Sequence, residues 1–366
     1  MDEPIGVAVI GAGGIAASHL YSYQRLGDRV RRVAVVDVDE SRASEGAERF
    51  EFDETLTDYA SVLARDDVHA VSICTPPFLH VEMSVAALEA GKHVLCEKPV
   101  APTLAGLDQI EAAARSGCIF SGVFQLRFGR GAQQLRALAD EGKFGSFQLG
   151  LAETMWWRED PYYTGAAWRG KWSTEAGGAT VSQAVHIIDM LLWLMGEPER
   201  VYAEAASARD AIEVDDSSVA VVRFRSGAIA QITNTVSAQS EQRSLLEFHG
   251  SKLSAISQGP VYDATVEPFQ LSSADEAYAE GLQLEMEERM PKGYKLLHRG
   301  PITEFVAAIA EGGQPSVGID DCRRALQLTT AIYKSAMTQQ AVTLPIEKDD
   351  PFYSALPPDG FSFPAS

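Results

Sequence analysis

The chain has no run of 18 or more apolar residues, so no membrane-spanning helix is expected. It also has no Cys-x-x-Cys pair. Its 4 cysteines, Cys74, Cys96, Cys118 and Cys322, are widely spaced, and three of them fall in apolar runs. Reduced, mostly buried thiols are expected, with neither a disulfide frame nor a zinc or other metal site. Basic charge is scarce: 31 Lys and Arg stand against 51 Asp and Glu, for a net charge of −20. Nucleic acid and anionic membranes are therefore not expected as partners. No basic segment or cleavage site opens the chain. Met1 to Pro4 lead directly into Ile5-Gly6-Val7-Ala8-Val9-Ile10, which reads as a cytoplasmic protein without a signal peptide. No internal repeat is visible.

What is present is a strand–helix rhythm. The 366 residues, 46% of them hydrophobic, suit about two domains. Apolar runs at 5–10, 30–36, 70–74, 93–96 and about 119–124 read as strands. Helical patterns lie between them, up to about Leu26, at Ser41–Phe50, at His80–Ala90 and at Thr103–Ser116. This alternation predicts an α/β, doubly wound parallel sheet over residues 1–124. The rhythm then changes. Segments 147–154, 200–208, 218–225, 228–235 and 244–249 read as strands with few helices between them, and Ser226-Gly227 reads as a hairpin turn. A helix is expected from Thr180 to Met195, and later ones at Ile302–Glu311 and Asp321–Thr338. Residues 125–366 are thus expected to form an α+β domain with a mostly antiparallel sheet, and 346–366 a Pro-rich surface tail.

The turn Gly11-Ala12-Gly13-Gly14-Ile15-Ala16 follows a strand and opens a helix, and Asp37 ends the next strand. Such glycines permit a tight turn and close approach of a pyrophosphate, whose charge suits the helix N-terminus. Asp37 would accept from ribose hydroxyls and repel a 2′-phosphate. NAD is therefore expected over NADP, with Arg42 nearby as the feature that could accommodate a phosphate. Gly11, Gly13, Gly14, Ile15 and Asp37 are the candidate cofactor residues. Thr75-Pro76-Pro77 ends the third strand on the same sheet edge, so Thr75 and Pro76 join them. His80 either touches the nicotinamide side or caps the next helix.

Glu97-Lys98-Pro99 follows the apolar run His93-Val94-Leu95-Cys96. The proline stops the strand and fixes a turn, presenting Lys98 at the carboxyl edge where ligands of open α/β sheets sit. Oxidation of an alcohol by hydride transfer needs a group to take the hydroxyl proton and another to hold the developing alkoxide. Of the 7 histidines, His19 suits a structural place in the first helix, and His69, His93, His249 and His298 have no supporting constellation. His186 has Ser182 four residues before it and Asp189 three after, on one face of the expected helix. Asp189 could orient its imidazole through the second nitrogen.

In order along the chain, the Gly-rich turn, Thr75-Pro76-Pro77-x-x-His80, Glu97-Lys98-Pro99 and the Gly177-Gly178…His186-x-x-Asp189 helix resemble the glucose–fructose oxidoreductase, inositol dehydrogenase and MocA-type family. The resemblance extends to about residue 340. It implies a Rossmann NAD(P)-binding domain, and a second domain that binds substrate and builds homodimers or homotetramers through an open sheet face. It implies NAD(P)-linked chemistry on sugars and polyols, with Lys98 positioning the reacting oxygen, His186 as acid/base, and Glu97 and Lys98 near the cofactor. One departure is notable. Many members have an aspartate four residues before the histidine, where this chain has Ser182, followed by Gln183.

Four of the 5 tryptophans lie in Trp156-Trp157-Arg158 through Trp172. Aromatic faces pack on sugar rings and Arg or Lys supply hydrogen bonds, although ordinary core or an oligomer interface would use the same residues. Arg158, Trp168, Arg169 and Lys171 are the substrate candidates, with Ser182, Gln183, His186 and Lys98, and with Gln125 and Arg127 near the domain junction. The expected activity is NAD-dependent oxidation of a secondary hydroxyl of a sugar, glycoside or polyol. The alternatives are a keto-sugar reductase running in reverse, or a non-catalytic NAD-sensing regulator.

Overall fold

The computed structural model describes residues 3–115, 117–260, 265, 269–289 and 297–363. Ser116, expected at the end of a helix, and the last three residues of the expected tail lie outside them. The chain divides into two compact units. The first is 1–125 with 298–322, and the second is 126–297 with 323–366.

The first unit is built on six parallel strands, β1 (Ile5–Ile10), β2 (Val30–Val36), β3 (Glu54–Leu56), β4 (Ala70–Ile73), β5 (His93–Cys96) and β6 (Phe120–Gly122), in the order β3-β2-β1-β4-β5-β6. Helices cover both faces of such a sheet, which is why β1 and β4 are buried at every residue and read as unbroken apolar runs. The order steps outward in both directions from β1, so β1 and β4 flank the switch point where crevices open at strand carboxyl ends. Helix Arg299–Glu311 belongs to this unit, although the sequence groups it with the second domain. Ile302, Phe305, Val306 and Ile309, spaced as one helical stripe, join a core with Val7, Val9, Leu20 and Tyr23. An apolar stripe needs a core, but periodicity does not say which one.

The second unit carries an eight-stranded sheet, with β7 (Phe147–Trp157), β8 (Pro198–Ala206), β9 (Ser217–Phe224), β10 (Ile229–Thr235), β11 (Ser237–Gly250), β12 (Ser254–Pro260), β13 (Gln270–Ser272) and β14 (Val342–Thr343). The order is β13-β12-β11-β7-β10-β9-β8-β14. All pairs are antiparallel except β7 with β10. Alternation of buried with more exposed residues, in β8 from Arg200 onward and throughout β9, marks a sheet covered on one face. The buried helix Val185–Met195 lies on the covered face over β7. Gly150 permits that approach, since a Cβ there would stand 2.4 Å from Met195 Sδ. The other face exposes Tyr202, Val219, Val221 and Ile229. Ser226-Gly227 forms the expected hairpin between β9 and β10, with Gly227 at φ +90°.

Two expectations need correction. The stretch 180–195 is not one α-helix: Ala179–Gln183 forms a π-helical turn, and the α-helix begins at Val185. Residues 346–363 are not a loose surface tail either. Helix Pro351–Ser354 buries Phe352 and Tyr353, Asp350 caps it through the Phe352 N–H, and Phe361 packs edge-on against Phe352. A segment rich in proline docks here because its aromatics find apolar partners. Among the described residues no single helix is long and apolar enough to cross a membrane.

Candidate active site

In the first unit, loops follow the carboxyl ends of β1, β2, β4 and β5. Gly11 has φ +94°, and a Cβ on it would lie 2.7 Å from the Cys74 carbonyl oxygen, so only glycine fits where β1 passes β4. Gly13 and Gly14 are exposed, and a Cβ on either would meet nothing within 4 Å. They leave an open cradle before helix Ala16–Arg25, whose N-cap is Ile15. Asp37 closes the loop from the side. Its Oδ2 accepts the Ala12 N–H at 2.7 Å and its Oδ1 the Asp39 N–H at 2.9 Å. Each oxygen keeps a further lone pair for a ribose hydroxyl. Arg42 is ion-paired with Asp39 at 3.2 Å. The open cradle, the helix start and the acidic strand end fit a dinucleotide.

Thr75 and Pro76 end β4 half-buried. His80 is not presented to this edge. It is 1% exposed, with Nδ1 2.7 Å from the Pro99 carbonyl oxygen and Nε2 2.8 Å from that of Thr75. Its ring thus sits behind the two loops and ties them together, and burial pushes its pKa down. Glu97 is also drawn inward. Its Oε1 lies 3.0 Å from His19 Nε2 and 3.9 Å from His298 Nε2, and its Oε2 accepts the Lys98 N–H at 3.2 Å. The line continues from His19 Nδ1 to Ser72 Oγ at 3.1 Å, and from there to the Tyr23 hydroxyl at 2.8 Å. Burial alone would raise the Glu97 carboxyl, but the His19 hydrogen bond and the charges of His19, His298 and Lys98 outweigh it and hold the pKa at about 2. Burial lowers His298 to about 4. An ionised carboxylate beneath Lys98 therefore grips its backbone, while the Lys98 side chain starts from a half-buried position. His298 has no sequence signal linking it to Glu97. His19, eight residues after Gly11 on the first helix, offers a weak one.

In the second unit, the candidates lie on the π-helical turn and the segment before it. Asp215, fully buried, holds the turn. Its Oδ1 accepts the Gly178 N–H at 2.8 Å and the Tyr333 hydroxyl at 2.6 Å. Its Oδ2 accepts the Thr180 N–H at 2.9 Å and the Thr180 hydroxyl at 2.7 Å. A Cβ on Gly178 would fall 1.9 Å from the Asp215 carbonyl oxygen. This packing explains both the Gly-Gly pair and the broken helix: the chain enters the turn pressed against Asp215. Asp215 and Tyr333 have no sequence signal, being 35 and 153 residues beyond Thr180.

His186 is buried in the first turn of the following helix. Asp189, its expected partner, also has both oxygens in an ion pair. Arg127 donates to both, Nε to Oδ2 at 2.7 Å and NH2 to Oδ1 at 2.5 Å, with both side chains buried. The Arg127 guanidinium also lies over the Trp193 ring, 5.4 Å from its centroid. Arg127 and Asp189 are thus a structural ion pair under the helix. Gln125, the last residue of the first unit's opening segment, is buried as well.

Arg158, Tyr162, Arg169 and Gln183 do come together. The Arg158 guanidinium stands 5.1 Å from the centroids of both Trp156 and Tyr162 and donates to Gln183 Oε1 at 3.1 Å. Gln183 Nε2 donates to the Tyr162 oxygen at 2.7 Å, which also accepts from Arg169. Arg169 lies between the Tyr162 and Trp168 rings at 3.9 and 4.2 Å. Flat apolar faces edged with guanidinium groups suit the face and hydroxyls of a sugar ring. Lys171 is exposed and outside this cluster.

Residues 5–123 match the profile of an oxidoreductase family with an NAD-binding Rossmann fold, and residues 132–256 match the GFO/IDH/MocA C-terminal domain. The levoglucosan dehydrogenase of Pseudarthrobacter phenanthrenivorans is 27% identical over 94% of this chain and 99% of its own length. The myo-inositol 2-dehydrogenase of Thermotoga maritima is 28% identical over 92% and 98%. Among solved structures, the WlbA dehydrogenase of Chromobacterium violaceum with NADH and UDP-GlcNAcA superposes with a TM-score of 0.85 at 27% identity, covering 95% of this chain and 98% of that one. Levoglucosan dehydrogenase with NADH and levoglucosan gives 0.80 at 26% identity, covering 94% and 100%.

Proposed function

We infer that this chain, which belongs to the Gfo/Idh/MocA oxidoreductase family, is an NAD-dependent dehydrogenase that oxidises a secondary hydroxyl of a sugar, glycoside or polyol. The observation that carries this reading is the gathering of the Gly11 turn, Asp37, Thr75 and Lys98 on one sheet edge, in a chain that also holds the Arg158–Tyr162–Arg169–Gln183 cluster. Arg42, ion-paired with Asp39 at 3.2 Å, supports NAD over NADP.

Bound NAD supplies the hydride acceptor. In the proposed reaction His186 takes the hydroxyl proton, and Lys98, its backbone gripped by Glu97, holds the alkoxide as the C–H bond breaks and the carbonyl forms. The hydride leaves with both electrons, so the substrate becomes a ketone and His186 keeps one proton. Gly11, Gly13, Gly14 and Ile15 form the pyrophosphate turn, and His80 acts through the Thr75 and Pro99 loops. Arg158, Trp168, Arg169, Ser182 and Gln183 orient the sugar. Single-turnover hydride transfer in Lys98→Met and His186→Ala tests the two roles. Loss of about 100-fold or more in each is expected, and near-normal rates in both would refute them.

Assembly through the open sheet face is part of the same proposal. It is supported by Tyr202 and Val221, which stand opposite each other on β8 and β9 and are exposed, with Val219 beside them. A homodimer or homotetramer would cover them. A cytoplasmic location is supported by the 4 free cysteines.

A further inference from the structure

Ser182 leaves the turn before His186 without a carboxylate of its own, and the fold brings one to it. Glu175 ends the short helix Trp172–Glu175 and is 1% exposed. Its Oε2 accepts the Gly170 N–H at 2.6 Å, its Oε1 accepts the Ser182 hydroxyl at 2.7 Å, and an Arg169 nitrogen stands 3.5 Å from Oε1. The other acceptor near that hydroxyl, the Gly177 carbonyl, is at 3.4 Å, the weaker contact. Burial pushes the Glu175 carboxyl up, against the Gly170 N–H, the Ser182 hydroxyl and the Arg169 charge, which pull it down; ionised, it only accepts, so the Ser182 proton is directed to Glu175 and the lone pairs of Ser182 point elsewhere. A hydroxyl whose proton is held by a charge is also a better acceptor. Gln183 is fixed in the same manner, its nitrogen toward Tyr162 and its oxygen toward Arg158.

We propose that Glu175 is a positioning residue: acting through Ser182, it makes the turn before His186 a hydrogen-bond acceptor and selects substrates that donate a second hydroxyl beside the one oxidised. The proposal rests on the dehydrogenase reading above. The charged and titratable groups facing Glu175 are Arg169, Tyr162, Tyr163 and Asp215. None of them stands in for the Ser182 contact.

The test compares wild type, Glu175→Gln, Ser182→Asp and the double variant E175S/S182D. The probes are the best sugar found by NAD-reduction screening and its analogue with the neighbouring hydroxyl O-methylated. Wild type should discriminate against the analogue. In Glu175→Gln the amide can turn its NH2 to Ser182, so kcat/KM for the sugar should fall about 10–100-fold and the discrimination should shrink. A purely structural role would lower stability and leave the discrimination intact. Ser182→Asp puts two carboxylates in hydrogen-bond contact, where they must share a proton. It should be weaker than E175S/S182D, which restores one carboxylate and one hydroxyl and regains the discrimination. Unchanged kcat/KM and discrimination in Glu175→Gln, or Ser182→Asp as active as the double variant, would overturn the proposal. If wild type turns over no sugar, the dehydrogenase reading fails on its own. The coupling is then read by thermal unfolding above neutral pH, where Ser182→Asp should melt below E175S/S182D, and equal melting would overturn the Glu175–Ser182 link.

Discussion

Asp215→Asn removes the acceptor around which the π-helical turn is built, and the geometry sets its cost. Asn offers one oxygen and one NH2 where the carboxylate offers two oxygens. If the Asn oxygen keeps the Gly178 N–H and the Tyr333 hydroxyl, the NH2 faces Thr180. The Thr180 hydroxyl can rotate to accept, but the Thr180 N–H cannot. If the side chain turns the other way, Tyr333 can rotate to accept, and the Gly178 N–H keeps only its longer contact with the Tyr333 oxygen at 3.2 Å. The first choice strands the buried Thr180 N–H and the second leaves the Gly178 N–H on its longer contact, at up to about 1–3 kcal/mol, and both weaken the remaining bonds from charged to neutral, at about 1 kcal/mol each. Burial pushes the Asp215 pKa up, so replacing the acid also relieves a desolvation cost. The net destabilisation should be about 2–4 kcal/mol, read by urea unfolding at pH 7.5. The loss should reach the chemistry too. The turn leads into His186, so kcat should fall while NADH affinity, set by the Gly11 loop, stays near wild type. A destabilisation below about 0.5 kcal/mol, or equal losses in NADH binding and kcat, would refute this account of the turn.

Gly11→Ala should weaken NADH binding by about tenfold or more, because the added Cβ meets the Cys74 carbonyl and a φ of +94° strains any L side chain; calorimetric titration with unchanged affinity would contradict it. His298 predicts a pH dependence of stability. Its folded pKa of about 4 lies below the ordinary 6.5, so the unfolded chain takes the proton first, and stability present above about pH 6.5 is lost as pH falls toward 4. The difference, 6.5 − 4, corresponds to up to about 3 kcal/mol. Denaturant midpoints should fall over this window in wild type and less in His298→Gln, and parallel curves would remove His298 as the cause. The Glu97 term, from 4.5 toward 2, enters at lower pH and has the same sign.

The sequence is most legible where structure is local. β1, β2, β4 and β5 stand at the expected apolar runs, because strands covered on both faces leave no alternation to misread. Gly11 and Asp37 were findable for the same reason, since a turn and the next strand end define them. Legibility fails with separation along the chain. Helix Arg299–Glu311 shows its apolar stripe plainly, yet nothing in the stripe names the core it enters. Asp189 sits at a suggestive spacing from His186, but nothing in the sequence shows that Arg127, 62 residues earlier, donates to both its oxygens. Phe352 and Tyr353 sit in a segment whose composition reads as loop, because composition counts prolines and cannot see the pocket that two aromatics fill.

Two acidic residues named from the sequence, Asp37 and Glu97, and two that it left unmarked, Glu175 and Asp215, share one chemistry. With 51 acidic residues, an individual Asp or Glu carries almost no signal. Yet four of them do the same work in the fold: Asp37 accepts from Ala12, Glu97 from Lys98, Glu175 from Gly170, and Asp215 from Gly178 and Thr180. Each acceptor meets a backbone N–H in a turn that no helix or strand ladder supplies, and a buried N–H must find a partner. Each of those turns also carries or adjoins a proposed site residue. A loop held by a neutral acceptor could shift at the modest cost of one ordinary hydrogen bond, whereas a loop held by a buried carboxylate must break a charged one and leave that charge alone in the interior. The acidic composition that disfavours nucleic acid as a partner also includes the groups that fix the turns. Rigidity of the site is expected to follow the ionisation of these carboxylates rather than the apolar packing around them.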